Sequence, residues 1–375
     1  MTMPLLQYFD PVAQAASARI IDSGPRYLAH ALMAPEPGDF RVLETTGDTM
    51  LLIHGEDGVQ RIVSNVCRHQ HAFIIQRGGD GKSRCGNLRN LPGRKLLCPI
   101  HHWSYDGTGR HCAAPHFSAD VRIDLPTIAP KQWNGLLYDG NIMPADIANL
   151  GHSGLFDRAL VDFSRYRFYR SDPPTHYNFS WELFVEIYMD LAHVVPFHPR
   201  TLAQYVDIRQ ADWEIGASYN VQVVGWKRHA ANAIPEVMRQ RDATNKFWGP
   251  NGPPLGALWI TIFPNIMVEW YPLGLTISVI VPDGHGRCVN YLDRFVPLAF
   301  GADAEEFSAI HEAAYNFVAL EDAAICDNIQ VARAAAFRRG DHSRGPAHPE
   351  LEKGIPLFHQ YLTERLGANY GDHNG

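Results

Sequence analysis

The chain has 375 residues, 46% of them hydrophobic, and a formal net charge of -7. This length predicts two or three domain-sized units, and the negative charge argues against nucleic acid or an anionic membrane as the main partner. Residues 1–32 hold no basic start followed by an apolar run, so we expect a cytoplasmic protein without a signal peptide or transmembrane segment. The six cysteines are scattered along the chain. In such a protein that pattern favours metal ligands or free thiols over disulfides.

The first third of the sequence predicts a helical lead-in and an all-β domain. Residues 1–39 are mixed in composition and form the predicted lead-in. From Phe40 onward, short runs rich in Val, Ile and Leu predict strands, and the run at 133–140 closes this region. Residues 76–95 are rich in Gly, Arg, Asn and Pro and predict an exposed loop. We place the first domain at 40–145.

The second domain, placed at 146–375, combines helices with an antiparallel sheet. Residues 145–175 predict a connection, and an apolar helix follows up to about Met189. Runs rich in β-branched and aromatic residues, separated by Pro and Gly turns, then predict an antiparallel meander. These runs are 213–226, 257–263, 265–271, 275–281 and 288–296. Residues 304–340 predict one long helix.

The segment D-L-A-H-V-V-P-F-H at 190–198 carries a candidate metal site. Asp190 and His193 lie three residues apart and would share one face of a helix. Pro196 cannot continue that helix cleanly, so we expect a kink or a turn that brings His198 back. Two imidazoles and one carboxylate form the facial triad that binds non-haem Fe(II) and leaves positions open for O2. Alone the pattern is weak, because unrelated histidines near a helix end would look the same.

A second candidate site lies earlier in the chain. Cys67-x-His69 and Cys98-x-x-His101 place one cysteine and one histidine on each of two loops. Such a set can bind zinc tetrahedrally. It can also bind a Rieske [2Fe–2S] cluster, where two thiolates hold one iron and two imidazoles hold the other. A zinc ribbon more often repeats C-x-x-C, so the alternating spacing favours the cluster.

Together these motifs resemble those of Rieske non-haem iron oxygenase α subunits, the ring-hydroxylating oxygenase family. C-R-H and C-P-I-H-H-W-S-Y-D are similar to the two cluster loops, and D-L-A-H-V-V-P-F-H is similar to the iron motif, in the family's order. The resemblance covers roughly residues 40–340. It implies an α+β protein with an N-terminal all-β Rieske domain and a helix-grip (START-like) catalytic domain with an antiparallel sheet and a long C-terminal helix. It also implies a Rieske-type [2Fe–2S] cluster and a mononuclear Fe(II).

The resemblance assigns the individual site residues. The cluster and iron ligands it implies are Cys67, His69, Cys98, His101, His193 and His198. The third iron ligand would be Asp322 in A-L-E-D-A-A-I-C-D, with Glu321 and Asp327 as alternatives. Asp190 matches the family's bridging carboxylate, which hydrogen-bonds an iron histidine and a cluster histidine of the neighbouring subunit.

The sequence departs from the family pattern at the cluster loops. The stretch between His69 and Cys98 contains an insertion, and His71 and His102 stand where glycine is usual. Both are rival imidazoles, although their spacing fits the motif less well. Cys85 and Cys112 lie nearby and are interpreted as bystanders, because four ligands already complete the cluster.

The implied function is the terminal oxygenase component of a multicomponent Rieske oxygenase. Electrons would come from an external reductase or ferredoxin, because no G-x-G-x-x-G follows a strand. O2 and a small organic, aromatic substrate would react by hydroxylation, demethylation or cis-dihydroxylation, in a pocket lined by the strands around Trp226, Trp259 and Trp270. The chain length is that of members that lack a β subunit, which favours a homotrimer. A Rieske electron carrier and a zinc-stabilised helix-grip binding protein remain alternatives.

Overall fold

The structure is a computed structural model that describes residues 3–76, 84–140, 145–343 and 345–366. The chain forms two compact units, Arg26–Gly140 and Met1–Pro25 with Asn141–Gly375. The predicted lead-in therefore divides between the units, because its residues from Pro25 onward form a strand. The predicted domain boundaries stay a prediction. Part of the loop predicted at 76–95 lies outside the described residues.

Two short helices open the chain and precede the β-rich unit. They are α1 (Leu6–Phe9) and α2 (Pro11–Ser23). The Asp10 carboxylate accepts hydrogen bonds from the backbone N–H groups of Val12 and Ala13, and Pro11 occupies the first turn of α2. Both features favour a helix start.

The unit Arg26–Gly140 is built from short antiparallel strands. They are β1 (Pro25–His30), β2 (Asp39–Val42), β3 (Met50–His54), β4 (Gln60–Ser64), β5 (Cys85–Asn87), β6 (Leu96–Leu97), β7 (Ser104–Tyr105), β8 (His111–Ala113), β9 (Thr127–Ile128), β10 (Lys131–Trp133) and β11 (Leu136–Gly140). They form a five-stranded sheet in the order β5-β2-β3-β4-β9 and two three-stranded sheets, β6-β7-β8 and β1-β11-β10. The core between them includes Leu51, Ile53 and Val63, and it also contains Cys67 and Cys98. The predicted all-β domain is confirmed.

The second unit combines one large sheet with α1, α2 and six further α-helices among its described residues. Its strands are β12 (Tyr166–Ser171), β13 (Thr175–Tyr177), β14 (Val206–Ile215), β15 (Tyr219–Trp226), β16 (Ala257–Ile262), β17 (Ile266–Tyr271), β18 (Gly274–Pro282) and β19 (Cys288–Pro297). Its six further helices are α3 (Trp181–Tyr188), α4 (Val194–Phe197), α5 (Leu202–Tyr205), α6 (Pro235–Trp248), α7 (Ala304–Arg338) and α8 (Gly354–Leu366).

The predicted antiparallel meander is confirmed, since the sheet runs β12-β19-β18-β17-β16-β15-β14, with β13 also pairing with β19. One detail of the prediction is wrong. The run 213–226, predicted as a single strand, turns back between Ile215 and Tyr219 and so contributes to two strands. Strand β12 lies within the predicted connection, where Y-R-F-Y-R-S contains three aromatic residues that favour a strand.

Helices α3, α7 and α8 pack on this sheet around a common apolar core. Leu183 of α3, Ile325 of α7 and Leu362 of α8 meet Met267 and Ile280 of the sheet there. The long helix predicted at 304–340 is confirmed, whereas α6 and α8 were not anticipated. Among the described residues, no helix combines the length and apolar character needed to cross a membrane.

This core predicts a contrast between two leucine truncations. Leu362 is fully buried, so Leu362→Ala should lower the free energy of unfolding of this unit by about 2–5 kcal/mol, through lost burial and the cavity left behind. The matched control is Leu320→Ala on α7, whose side chain is 69% exposed and should change stability by less than about 0.5 kcal/mol. Urea titrations of both variants provide the measurement. Equal effects would contradict the assignment of α8 to the core.

Candidate metal centres and substrate cavity

Two loops of the β-rich unit share one turn geometry at the predicted cluster ligands. The His71 N–H donates to the Cys67 carbonyl at 3.0 Å, and the His102 N–H donates to the Cys98 carbonyl at 3.0 Å. Both histidines have a φ of 58°, in the left-handed region that favours glycine. Positions 71 and 102 therefore adopt the turn conformation for which the family usually has glycine. In this chain each of the two positions also carries an imidazole side chain.

The loops bring the four predicted cluster residues together. Cys67 and Cys98 are buried and their thiols are in hydrogen-bonding contact, and burial raises the pKa of the Cys98 thiol. The hydroxyl of Tyr105 lies 3.5 Å from the Cys67 sulfur. The rings of His69 and His101 meet edge to face, with their centroids 4.6 Å apart. Two thiols and two imidazoles thus converge, as a Rieske cluster requires.

The donor set also passes a test of fit to such a cluster. The Nδ1 atom of His69 is buried and has no hydrogen-bond partner among the described residues. A buried polar atom of this kind normally has a partner, and a ligated iron would supply one. The rival imidazole of His71 is exposed, as is Cys85 on β5, while the Cys112 thiol donates to the Arg110 carbonyl. None of these rivals shows a comparable buried, unpartnered donor.

The iron motif occupies a turn between helices. The prediction that Asp190 and His193 lie on one helix is wrong, because α3 ends at Tyr188 and Asp190 follows it in the turn. Pro196 is the third residue of the short helix α4, where a missing N–H costs little. His198 directly follows α4, so of the two expected alternatives it is a turn that brings the two histidines together.

Helix α7 completes a three-residue cluster with this turn. Donor atoms of His193, His198 and Asp322 all lie within 4.8 Å of one another. Asp322 Oδ1 is 3.3 Å from His193 Nε2 and 2.9 Å from His198 Nε2. The cluster combines two imidazoles and one carboxylate, the donor set of a facial triad.

Neighbouring carboxylates orient both imidazoles. Glu321 accepts from His198 Nδ1 at 2.7 Å and also from the Thr201 hydroxyl. Asp190 Oδ2 lies 3.3 Å from His193 Nδ1, and its Oδ1 accepts from the backbone N–H of Ala192. Such partners fix the tautomer that leaves Nε2 free for a metal.

The remaining alternatives for the third ligand are placed differently from Asp322. Glu321 faces the outer nitrogen of His198 rather than the point where the Nε2 atoms converge. Asp327 is exposed on α7. This geometry favours Asp322 over both.

The electrostatics of the cluster favour a bound cation. Burial alone would lower the pKa of His193, but the Asp190 and Asp322 carboxylates raise it to about 9. Burial also opposes the charged form of His198, whose pKa is nevertheless raised by Asp322 and Glu321. The pKa of Asp322 is lowered, because the two imidazoles outweigh its burial. The carboxylates around the two imidazoles create a negative electrostatic potential at this site, which would attract a divalent metal ion.

A cavity of about 160 Å³ adjoins this cluster and is bordered by His193, Asp190 and Asp322. Its wall includes four aromatic residues, Tyr188, Trp259, Tyr271 and Tyr315, and the acidic residue Glu269. Of the strands predicted to line the pocket, β16 around Trp259 and β17 around Trp270 border this cavity through Trp259, Glu269 and Tyr271. The Trp270 side chain itself points to the opposite face, because Trp270 pairs with Leu258 whereas Trp259 pairs with Glu269. Trp226 also lies outside the lining.

Glu269 is the functional candidate that sequence reasoning missed. It is 4% exposed and lies in β17, where its carboxylate accepts from the Tyr315 hydroxyl at 3.1 Å. The signal was present in I-M-V-E-W-Y, because a lone acid in an apolar, fully buried strand is rarely there for packing. Its position in the cavity could not be read from the sequence, since that depends on which face of the sheet carries α3 and α7.

Comparison with known proteins agrees with both halves of this description. The Rieske [2Fe-2S] domain model matches residues 27–129, and the model of the ring hydroxylating alpha subunit (catalytic domain) matches residues 163–368. The chain is 35% identical to a putrescine 2-hydroxylase of Ralstonia nicotianae over 364 residues, which cover 96% of this chain and 94% of the relative. It is 23% identical to the chloroplastic choline monooxygenase of Beta vulgaris, covering 98% of this chain and 77% of the relative.

Solved structures share the fold at low sequence identity. A quaternary ammonium Rieske monooxygenase superposes with a TM-score of 0.72 at 16% identity, covering 96% of this chain and 95% of the other. Naphthalene 1,2-dioxygenase with indole bound superposes with a TM-score of 0.71 at 17% identity, covering 99% and 93%.

The chain therefore belongs to the Rieske oxygenase α subunits, the ring-hydroxylating family. It is an oxygenase, and the predicted family and fold class are confirmed. The two matched domains imply the predicted Rieske cluster and mononuclear iron. The ligand residues themselves remain a prediction.

That prediction can be tested on α7. Asp322→Ala should abolish binding of the mononuclear iron and leave the cluster intact, because it removes one of three ligands. Iron per chain should fall from about three to about two, while the visible spectrum of the cluster persists. Asp327→Ala on the exposed side of the same helix is the control and should retain all of the iron. If Asp327→Ala loses iron and Asp322→Ala keeps it, the ligand is misassigned.

Proposed function

We propose that this protein is a terminal oxygenase that hydroxylates a small aliphatic amine, with electrons from a separate reductase or ferredoxin. One observation carries the proposal: the His193, His198 and Asp322 cluster adjoins a small cavity that holds the buried carboxylate of Glu269 and aromatic rings. The expected aromatic substrate gives way to an amine here. A buried carboxylate costs free energy beside a neutral aromatic ring, whereas a cation offsets that cost.

The roles of the metal-site residues follow from their contacts. When bound, the cluster supplies single electrons and the mononuclear iron supplies O2 activation. Cys67, His69, Cys98 and His101 would hold the cluster, and His193, His198 and Asp322 would hold the iron. Glu321 keeps the proton of His198 on Nδ1, and the Asp190 carboxylate lies 3.3 Å from His193 Nδ1. Both carboxylates thereby hold the imidazoles in the orientation that a metal needs.

The shape and lining of the cavity support a small organic cation. Its volume of about 160 Å³ is well below the roughly 300–1,000 Å³ of sites for drug-sized ligands. The rings of Tyr188, Trp259 and Tyr271 offer faces to which a cation is attracted. Relatives named for putrescine and for choline are consistent with a substrate of this charge.

Assembly and electron delivery form part of the same proposal. Asp190 would bridge His193 to a cluster histidine of a neighbouring subunit in a head-to-tail homotrimer, a type of contact that closes into a ring. Its placement beside His193 supports the half of this bridge that lies within one chain. The six cysteines are all free, which suits the reducing cytoplasm that we propose as the location.

The substrate proposal is tested by a screen of the holoenzyme with a surrogate reductase. NADH-dependent O2 uptake and product mass are followed with putrescine, choline and benzoate. We expect a product one oxygen atom heavier from an aliphatic amine and none from benzoate, because the carboxylate of benzoate would meet the acidic cavity. His198→Ala, which loses an iron ligand, is the inactive control. Oxygenation of benzoate alone would refute the amine proposal.

The bridge is tested separately by Asp190→Asn. Both metals should stay bound, since Asp190 ligates neither. Turnover should fall by roughly 10- to 100-fold, because the amide no longer accepts as an anion from His193. Iron analysis and single-turnover reoxidation of the pre-reduced cluster by O2 and substrate provide the measurement. Near-normal turnover of the variant, or a fully active monomer, would refute the bridge between subunits. Asp190 would then act only within its own chain, beside His193.

A further inference from the structure

We propose that Glu269 anchors a primary ammonium group of the substrate and thereby selects primary amines over quaternary ammonium compounds. This inference rests on the proposed function and narrows its substrate class. Glu269 lies in the middle of the sheet on β17 and borders the same cavity as His193 and Asp322. A substrate held at Glu269 would therefore lie beside the metal cluster.

Charge balance in the cavity points to a missing cation at Glu269. The other buried acid–base pair on its wall is complete, since Arg294 binds Asp172 at 2.7 Å. Glu269 has no ion pair among the described residues, and the Tyr315 hydroxyl is its hydrogen-bond donor there. Burial raises the pKa of Glu269 to about 8, although Tyr315 and Arg294 oppose the shift. The Glu269 carboxyl is therefore mainly neutral near pH 7 in the empty cavity, and a bound ammonium would favour its ionised form.

Hydrogen-bonding capacity around Glu269 distinguishes the two kinds of cation. The Tyr188 hydroxyl borders the cavity and is buried without a partner among the described residues. The Thr276 hydroxyl is also buried without a partner among the described residues, and Thr276 pairs with Glu269 across β17 and β18, so both side chains lie on one face of the sheet, although Thr276 is not part of the cavity lining. Hydroxyl oxygens and a carboxylate accept hydrogen bonds. A primary ammonium brings three N–H donors for them.

A quaternary ammonium has no N–H group and would leave these acceptors unsatisfied. Such an ion keeps its charge attraction to Glu269 and can lie against aromatic faces, but the buried oxygens beside it would lack hydrogen-bond donors, which costs free energy. The cavity does contain aromatic rings, but the Trp259 indole N–H is used on the Tyr271 hydroxyl and not on a ligand. The polar groups around Glu269 therefore favour primary ammonium ions over quaternary ones.

The test compares putrescine with its doubly N-trimethylated analogue on the holoenzyme, by calorimetric binding and by kcat/KM. Wild-type protein should prefer putrescine by at least about 10-fold. Glu269→Gln keeps the shape and removes the charge, and it should weaken putrescine roughly 10- to 100-fold but the analogue by a smaller factor, because the analogue loses only charge attraction whereas putrescine also loses a charge-assisted hydrogen bond. That change of selectivity is a readout which loss of structure alone would not produce.

Two further variants keep the test decisive. Glu214→Gln alters another buried acid of the same sheet, whose carboxylate accepts from the Gly151 N–H and lies outside the cavity lining. Glu214→Gln should leave the binding of putrescine and of its analogue unchanged. Tyr315→Phe removes the hydroxyl that donates to Glu269 and should weaken putrescine binding several-fold. This variant tests the anchor if Glu269→Gln loses its iron.

The outcomes separate the anchor from the proposed function. Putrescine that binds and is oxygenated equally well by wild type and Glu269→Gln overturns the anchor and leaves the amine hydroxylase standing. Putrescine that binds in a Glu269-dependent way and is never oxygenated supports the anchor and refutes the hydroxylase. Failure of wild type to bind either amine overturns both.

Discussion

Desolvated carboxylates without matching cations are the constraint on which the catalytic unit depends. Glu186 is as buried as Glu269, but Arg333 at 2.9 Å and His359 at 2.8 Å compensate it, so its role is structural. Asp322 and Glu269 have no arginine or lysine partner among the described residues. Since neither carboxylate is neutralised by an arginine or lysine, we propose that each can hold a cation from outside, a metal ion at Asp322 and a substrate ammonium at Glu269.

The fold makes this arrangement possible by bringing distant segments to one side of a rigid sheet. Helix α7 spans 35 residues, so it can pack along the sheet and still place Asp322 against the turn after α3. The antiparallel register then fixes which residues of β16 and β17 face the helices. A one-residue slip would turn Glu269 away from the cavity and Trp270 into it. The packing of α3, α7 and α8 around Leu362 thus helps to hold Asp322 and Glu269 in position.

Much of this organisation could be predicted from the sequence, because short-range patterns encode it. The cluster loops and the iron turn are local motifs, and the meander follows from alternating apolar runs between Pro and Gly turns. Three features escaped prediction for physical reasons. The end of α3 at Tyr188 depends on tertiary contacts, the hairpin at 215–219 has no Asn-Gly or Asp-Gly signal, and the role of Glu269 depends on pairing across strands far apart in sequence. Asp322 needed the family resemblance, since acidic residues on a long helix are otherwise a solvated face.

The central claim is that one cavity joins an iron site to an ammonium anchor. A crystal structure of the iron-loaded protein with putrescine bound tests it most directly. The account predicts metal density bound by His193, His198 and Asp322, and one putrescine nitrogen within about 2.7–2.9 Å of the Glu269 carboxylate. Metal held by other residues, or a bound amine whose nitrogens both lie away from Glu269, would contradict it.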